Sequence, residues 1–222
     1  MKRVAIITAA GQGKRMGRPK QFLKICGQPL LSWTLLAFEK SRLIDEVILV
    51  VNAEDMEIAR QLKFSKLKKY VSGGEHRQLS VFNGLKNLPG DATIIAIHDG
   101  ARPLVSPEII DRAIQEAEKF GAVVVGVPVC DTIKKVDGSD SQIVETFNRE
   151  LLWAAQTPQV FQREVILKAF EEGGAKYPVT DDAALVEKMG YPVKMVLGSY
   201  QNIKITTPED LIFAEAILKK RS

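Results

Sequence analysis

Two cysteines in 222 residues, Cys26 and Cys130, stand far apart and outside any C-x-x-C pair. That leaves no disulfide framework and no thiolate set for structural zinc, and two buried free thiols are the expectation. No apolar run approaches the ~20 residues that a membrane helix needs. Met1-Lys-Arg leads directly into a strand rather than into a secretory leader, so a cytoplasmic location is expected. Internal repeats and low-complexity segments are missing too. The net charge is only +4, and the Lys-rich stretches at 63–69 and 219–221 have no interleaved aromatics. They read as solvated helix faces and a tail, which implies no nucleic acid and no membrane as partner. An anionic small molecule suits this charge better.

What is present is an ordinary globular composition, 45% hydrophobic, of a length that suits a single domain over 1–222. Strand and helix patterns alternate along it. Strands are expected at 4–8, 46–51, 70–72, 93–98 and 122–129, and helices at 29–39, 55–62, 79–87 and 107–120. The later part adds short strands at 159–161, 193–197 and 203–205, with helices at 163–171, 181–189 and from Pro208 to near 219. Ser106-Pro107 and Thr207-Pro208 each place a capping residue before a proline at the first helical position. Such alternation predicts a doubly wound α/β fold, Rossmann-like, with a mainly parallel sheet. Residues 131–149 break the pattern. Two segments that alternate apolar and charged residues flank Asp137-Gly138, which marks a projecting β-hairpin. One face of this arm needs cover, either from its own domain or from a second subunit as a dimerisation arm in a homodimer.

The first strand runs into Ala9-Ala10-Gly11-Gln12-Gly13-Lys14-Arg15-Met16-Gly17-Arg18-Pro19-Lys20. Small residues let backbone N–H groups approach an anion, and four cations surround them, so the loop reads as a polyphosphate site. It is not a P-loop, because Gly13-Lys14 is followed by Arg15 instead of Ser or Thr. It is not a dinucleotide fingerprint either, because Gly17 comes one place late and Pro19 stands where a helix should open. A second constellation, His98-Asp99-Gly100-Ala101-Arg102-Pro103, follows a buried strand. A carboxylate there lies at the edge of the sheet where α/β ligands bind, beside the glycine loop. Asp99 is thus the expected ligand for a Mg²⁺ that bridges phosphates, with Gly100 leaving the backbone open. His98 reads as structural. Arg102 reads either as a brace on the loop or as a direct contact.

Taken together, Ala-Ala-Gly-x-Gly-x-Arg-Met…Pro-Lys-Gln, Gly-Gly-x-x-Arg-x-x-Ser-Val, His-Asp-Gly-Ala-Arg-Pro, Asp-Thr-Ile-Lys, Thr-Pro-Gln and Asn-Ile-Lys-Ile-Thr resemble the 2-C-methyl-D-erythritol 4-phosphate cytidylyltransferases of isoprenoid synthesis. The resemblance spans Val4 to about Leu218 and implies Mg²⁺-dependent transfer of a cytidylyl group from CTP to methylerythritol phosphate. It implies catalytic roles for Arg15, Lys20 and Lys204, and nucleotide contacts from Ala9, Ala10, Gly11, Gly13, Gly74, Glu75, Ser80, Asp99 and Gly100. Gly74, Glu75 and the Ser80 hydroxyl would read the edge of cytosine. Thr132, Arg149, Thr157 and Thr180 match the alcohol-phosphate positions, the first two reaching across from a partner subunit. Asp181 and Asp182 read as capping residues at a helix start, or, for Asp181, as a contact to the polyol. Two departures stand out. Only Gly17-Arg18 separates Met16 from Pro19, and Glu75 stands where aspartate is common. The rival readings are a ribitol-5-phosphate cytidylyltransferase and a non-catalytic nucleotide-binding regulator on the same fold.

Overall fold

The computed structural model describes residues 1–11, 20–138, 140–173 and 179–221. Its strands are β1 (Lys2–Ala9), β2 (Lys24–Ile25), β3 (Gln28–Pro29), β4 (Glu46–Val51), β5 (Leu67–Ser72), β6 (Ala92–Asp99), β7 (Ala122–Pro128), β8 (Lys134–Val136), β9 (Ile143–Thr146), β10 (Trp153–Gln162) and β11 (Lys194–Leu197). The helices are α1 (Leu30–Lys40), α2 (Met56–Ala59), α3 (Arg77–Lys86), α4 (Pro107–Phe120), α5 (Arg163–Gly173), α6 (Ala183–Lys188) and α7 (Pro208–Arg221). Seven strands form one sheet in the order β11-β7-β10-β6-β1-β4-β5. All neighbours run parallel except β10, which is antiparallel to β6 and β7.

Side-chain alternation explains the layers. In β1, Ala5, Ile7 and Ala9 face one helical layer while Val4 and Ile6 face the other, so the strand is apolar on both sides. The first layer takes Leu35 and Phe38 of α1 and Ile110 and Ile114 of α4. The second takes Val81 and Leu85 of α3, Ile166 and Phe170 of α5, and Leu185 and Val186 of α6. A third, smaller cluster joins Leu218 of α7 to Ile25, Leu104 and Ile205. Ser106 caps α4 by accepting from the Ile109 N–H at 3.4 Å, with Pro107 at the first position. Asp210 in the first turn of α7 accepts from the N–H groups of Thr206 and Thr207 at 2.7 and 2.8 Å.

The connection leaving β1 crosses to β4 and β5 on one side, and the chain then returns to place β6 on the other. The order therefore reverses at β1, where ligands of open α/β sheets bind outside the strand ends. Thr8 is level with Asp99 and Val50, and Val51 with Ser72, so four strands end along one rim.

Several expected elements come out differently. The strand expected at 159–161 is ten residues long in β10, and its ladder breaks between Ala155 and Gln159. Pro158 sits inside that break, which is how a proline is accommodated within a central strand. The strand expected at 203–205 is an irregular segment held by single bonds, including Ile205 N–H to Ala101 O at 2.8 Å. The helix expected at 55–62 shrinks to a 3₁₀ turn at Ala53–Asp55 followed by α2, a single turn. The cationic stretch at 63–69 is no helix face: its end lies in β5, where exposed Lys68 and Lys69 guard an edge strand. Cys26 and Gly27, with φ of 46° and 79°, turn the unforeseen β2–β3 hairpin. Neither cysteine is fully buried, since Cys26 is half-buried and Cys130 exposed on the connection after β7. The hairpin at 131–149 is present as β8 and β9, a separate two-stranded sheet. Ile143 and Val144 on it are 64% and 62% exposed, so its own domain does not cover them.

Helix α3 approaches the sheet through Gly84, where a Cβ would lie 2.6 Å from Ile6 Cγ2 and 3.3 Å from Val50 Cγ2. Ile6 is fully buried and cannot retreat. Overpacking there costs about 1–3 kcal/mol against a helix-propensity gain of about 1 kcal/mol. Gly84→Ala is therefore expected to lower the midpoint of urea unfolding; an unchanged or raised midpoint would show that α3 can move off the sheet.

Candidate active site

Three loops meet at the rim because glycines let them touch. After β6, Gly100 donates its N–H to Thr8 O at 2.8 Å, and a Cβ there would lie 3.1 Å from that same oxygen. After β5, a Cβ on Gly73 would lie 2.3 Å from the Ala10 side chain. The loops after β1, β5 and β6 thus form one wall, with a cleft of about 400 Å³ in front of it. Of the residues singled out in the sequence, Ala9, Ala10, Gly11, Lys20, Gly74, Glu75, Ser80, Asp99 and Lys204 line this cleft. Gly100 lies buried behind Asp99. Gly13 and Arg15, with the short Gly17-Arg18 span, lie outside the described residues.

The electrostatic centre is Asp99, 7% exposed at the end of β6. Its Oδ1 accepts from Arg77 Nε at 2.9 Å, and its Oδ2 accepts from Lys204 Nζ at 2.7 Å. Arg102 Nε stands 3.9 Å from Oδ2. Burial alone would raise the Asp99 carboxyl, but the Arg77 and Lys204 charges outweigh it and hold the group well below the usual carboxylate range. Burial likewise works against the Arg77 charge, and Asp182 and Asp99 overcome it, so the guanidinium is held charged. Asp182 accepts from Arg77 Nη2 at 2.7 Å, yet burial prevails there and its carboxyl is raised.

Behind Asp99 lies a neutral relay. Thr157 Oγ1 accepts from the Asp99 N–H at 3.1 Å and lies 3.0 Å from His98 Nδ1, while His98 Nε2 lies 3.2 Å from Arg102 O. Burial pushes the His98 imidazole down to about 3. A neutral ring donating from Nε2 to Arg102 O leaves Nδ1 to accept from Thr157, which satisfies every partner. His98 is therefore structural, as its sequence context suggests. Arg102 braces the loop through Nη1 to Asn202 O at 2.7 Å.

The irregular segment after β11 carries one cation, Lys204, and anchors a second, Lys20. Lys204 reaches Asp99, and Lys20 Nζ donates to the neighbouring Ile205 O at 2.6 Å. The Ser80 hydroxyl accepts from Gly74 N–H at 3.1 Å and donates to His76 O at 3.2 Å, shaping the loop that carries Gly74 and Glu75. Thr157 is buried below the cleft, whereas Thr180 is exposed near the start of α6. Thr132 and Arg149 are exposed on either side of the β8–β9 hairpin, with Arg149 Nη1 donating to Cys130 O at 2.9 Å. None of these four lines the cleft.

Sequence reasoning gave no role to Arg77, Gln159 or Asn202. Gln159 Oε1 accepts from the N–H groups of Asp182 and Ala183 at 3.0 Å and fixes the start of α6. Asn202, fully buried, donates to Gln156 Oε1 and Thr157 O at 3.1 and 2.9 Å. All three sit inside the quoted motifs, but their partners are distant in sequence.

As for metal, the carboxylates lining the cleft are Asp99 and Glu75, and the described residues contain no group of three or more potential ligands. That donor set fits a Mg²⁺ arriving on a polyphosphate rather than one caged by protein alone.

The family model for 2-C-methyl-D-erythritol 4-phosphate cytidylyltransferase (IspD) matches residues 3–220. A protein of that name from Desulforamulus reducens is 48% identical, over 99% of this chain and 97% of its own length. The one from Caldanaerobacter subterraneus is also 48% identical, over 97% and 98%. Among solved structures, the 4-diphosphocytidyl-2C-methyl-D-erythritol synthase of Anaerococcus prevotii superimposes with a TM-score of 0.88 at 38% identity, covering 98% of this chain and 96% of that one. The Thermus thermophilus cytidylyltransferase gives 0.82 at 33%, covering 99% and 100%.

The buried neutral imidazole makes the site acid-sensitive. His98 is held down to about 3, below its ordinary value of 6.5, so the unfolded chain binds the extra proton between those limits and stability falls as pH drops through that window. Asp99, also lowered, adds to the loss below its ordinary 3.8. The melting temperature is expected to fall from pH 7 to pH 4, and His98→Gln to flatten that fall; equal slopes for both chains would contradict it.

Proposed function

This chain belongs to the 2-C-methyl-D-erythritol 4-phosphate cytidylyltransferase family, and we propose that its rim cleft is where CTP and the alcohol phosphate meet. The reaction is transfer of a cytidylyl group from CTP to 2-C-methyl-D-erythritol 4-phosphate, with release of pyrophosphate. Ribitol phosphate as substrate and a purely regulatory role are both disfavoured by that membership. The observation that carries the placement is a buried carboxylate, Asp99, held among Arg77, Lys204 and Arg102 at the point where strand order reverses.

An oxygen of the substrate phosphate attacks the α-phosphorus in line, and the bond to the bridging oxygen breaks as pyrophosphate departs. The attacking phosphate is already anionic at neutral pH, so no protein base is required. Catalysis then consists of positioning and of stabilising charge on the α-phosphate. Lys20 and Arg15 have the role of stabilising that charge, while Lys204 exchanges Asp99 for the incoming phosphate and aims it. Ala9, Ala10, Gly11 and Gly13 cradle the triphosphate, and Gly74 and Glu75 meet the cytosine edge in a loop that Ser80 shapes. Asp99 would hold Mg²⁺, which when bound neutralises charge across the phosphates.

The reading also includes a homodimer. The β8–β9 hairpin exposes Ile143 and Val144, and Leu151 in the turn that follows it is 79% exposed; these would pack on a second copy. Thr132 and Arg149 then enter the partner's site, joining Thr157 and Thr180 around the alcohol phosphate. A cytoplasmic location suits the exposed thiol of Cys130 and the nucleotide substrate. Among the described residues no helix is long and apolar enough to cross a membrane.

A pyrophosphate-release assay tests the assignment. Turnover is expected with CTP plus methylerythritol phosphate and Mg²⁺, and Lys20→Ala should lower kcat about 100- to 1,000-fold. Full turnover without Lys20, or without Mg²⁺, would sink these roles. For the dimer, Arg149→Ala and Lys204→Ala chains are each expected to be nearly inactive, while an equal mixture after subunit exchange regains roughly a quarter of wild-type activity, from one complete site per heterodimer. No regain in a mixture that has exchanged subunits would place Arg149 outside the partner's site.

A further inference from the structure

Arg77 opens α3, directly after the loop that carries Gly74 and Glu75. Its guanidinium has two prongs in use: Nε donates to Asp99 Oδ1 at 2.9 Å and Nη2 to Asp182 Oδ2 at 2.7 Å. Asp182 comes two residues after Thr180, and its side chain is 1% exposed. One side chain therefore ties together the cytosine-side loop, the end of β6 and the start of α6. Gln159 secures the far end of this tie by accepting from the Asp182 N–H and bonding Asp181 Oδ2 through its own amide at 2.8 Å.

The two cations that bond Asp99 differ in kind. The Lys204 side chain is 38% exposed and makes a point contact. A hydrated ammonium on a flexible stem exchanges partners readily, whereas a planar guanidinium gripped by two buried carboxylates does not. Removing Arg77 would also leave Asp182 buried without a counter-charge, which makes Arg77 the fixed member of the pair.

We propose that Arg77 is a positioning residue for the reaction: anchored on Asp182, it keeps Asp99 in place while Lys204 leaves Asp99 for substrate phosphate, and so holds the nucleotide-binding and alcohol-phosphate-binding segments in one frame. The inference rests on Asp99 being a nucleotide contact.

A double-mutant cycle on the affinity for Mg²⁺–CTP, measured by calorimetry, separates the two ideas. Asp99→Asn alone should weaken binding; if affinity is unchanged, the reading of Asp99 fails and takes this inference with it. Arg77→Gln should weaken binding about tenfold with Asp99 present but less than about threefold in the Asp99→Asn background, because it acts through Asp99. Should Arg77→Gln not fold, Arg77→Gln/Asp182→Asn replaces it, since no carboxylate is then left unpaired at 182. Arg77→Lys keeps one charge but cannot span both carboxylates, and most of the loss should persist. Equal losses in both backgrounds, a loss under about twofold, or full recovery with Arg77→Lys would each overturn the proposal.

Discussion

A single carboxylate sets the terms for the rim of this protein. Asp99 is placed by β6 where water hardly reaches it, and a lone buried charge of that kind costs several kcal/mol unless it is paired and hydrogen-bonded. The surroundings answer that demand from several directions. Arg77 comes from α3, Lys204 from the segment after β11, and Thr157 from β10 to receive the backbone N–H. Each partner belongs to a different part of the chain, so the fold must bring them together before the charge is tolerable. An intact pocket and a folded rim are in this sense the same condition.

The sheet makes the convergence possible. Parallel strands on both sides of β1 end at one level, and the reversal of order there opens a crevice that needs no dedicated loop to create it. Gly73 and Gly100 then close the gaps between neighbouring loops, where a Cβ would collide with Ala10 at the first and press tightly on the Thr8 carbonyl at the second. Three loops become one continuous wall through the absence of two side chains.

Much of this was readable from residue order, and the limits were physical. The α/β alternation, the hairpin at Asp137-Gly138 and the cleft-lining set from Ala9 to Lys204 follow from local pattern and family resemblance. The role of Arg77 does not, because its partners lie 22 and 105 residues away, and no local rule relates them. Residues 203–205 look like a strand because Ile203 and Ile205 alternate, yet their apolar side chains serve the small α7 cluster rather than the sheet. Residues 153–156 lack β-branched side chains and precede Pro158, so their place in β10 depends on neighbours already being in register. Residue type alone favours burial of both cysteines, but Cys130 lies exposed on the connection that leads from β7 into the β8–β9 hairpin.

Lys20 and Lys204 are far apart in sequence, but both are secured within two adjacent residues: Lys204 bonds Asp99 while Lys20 bonds the carbonyl of Ile205, whose own N–H is tied to Ala101 O. A shift of this short strap would move both cations together. Neither ammonium group can therefore be repositioned alone, and a substitution in the strap acts on both at once.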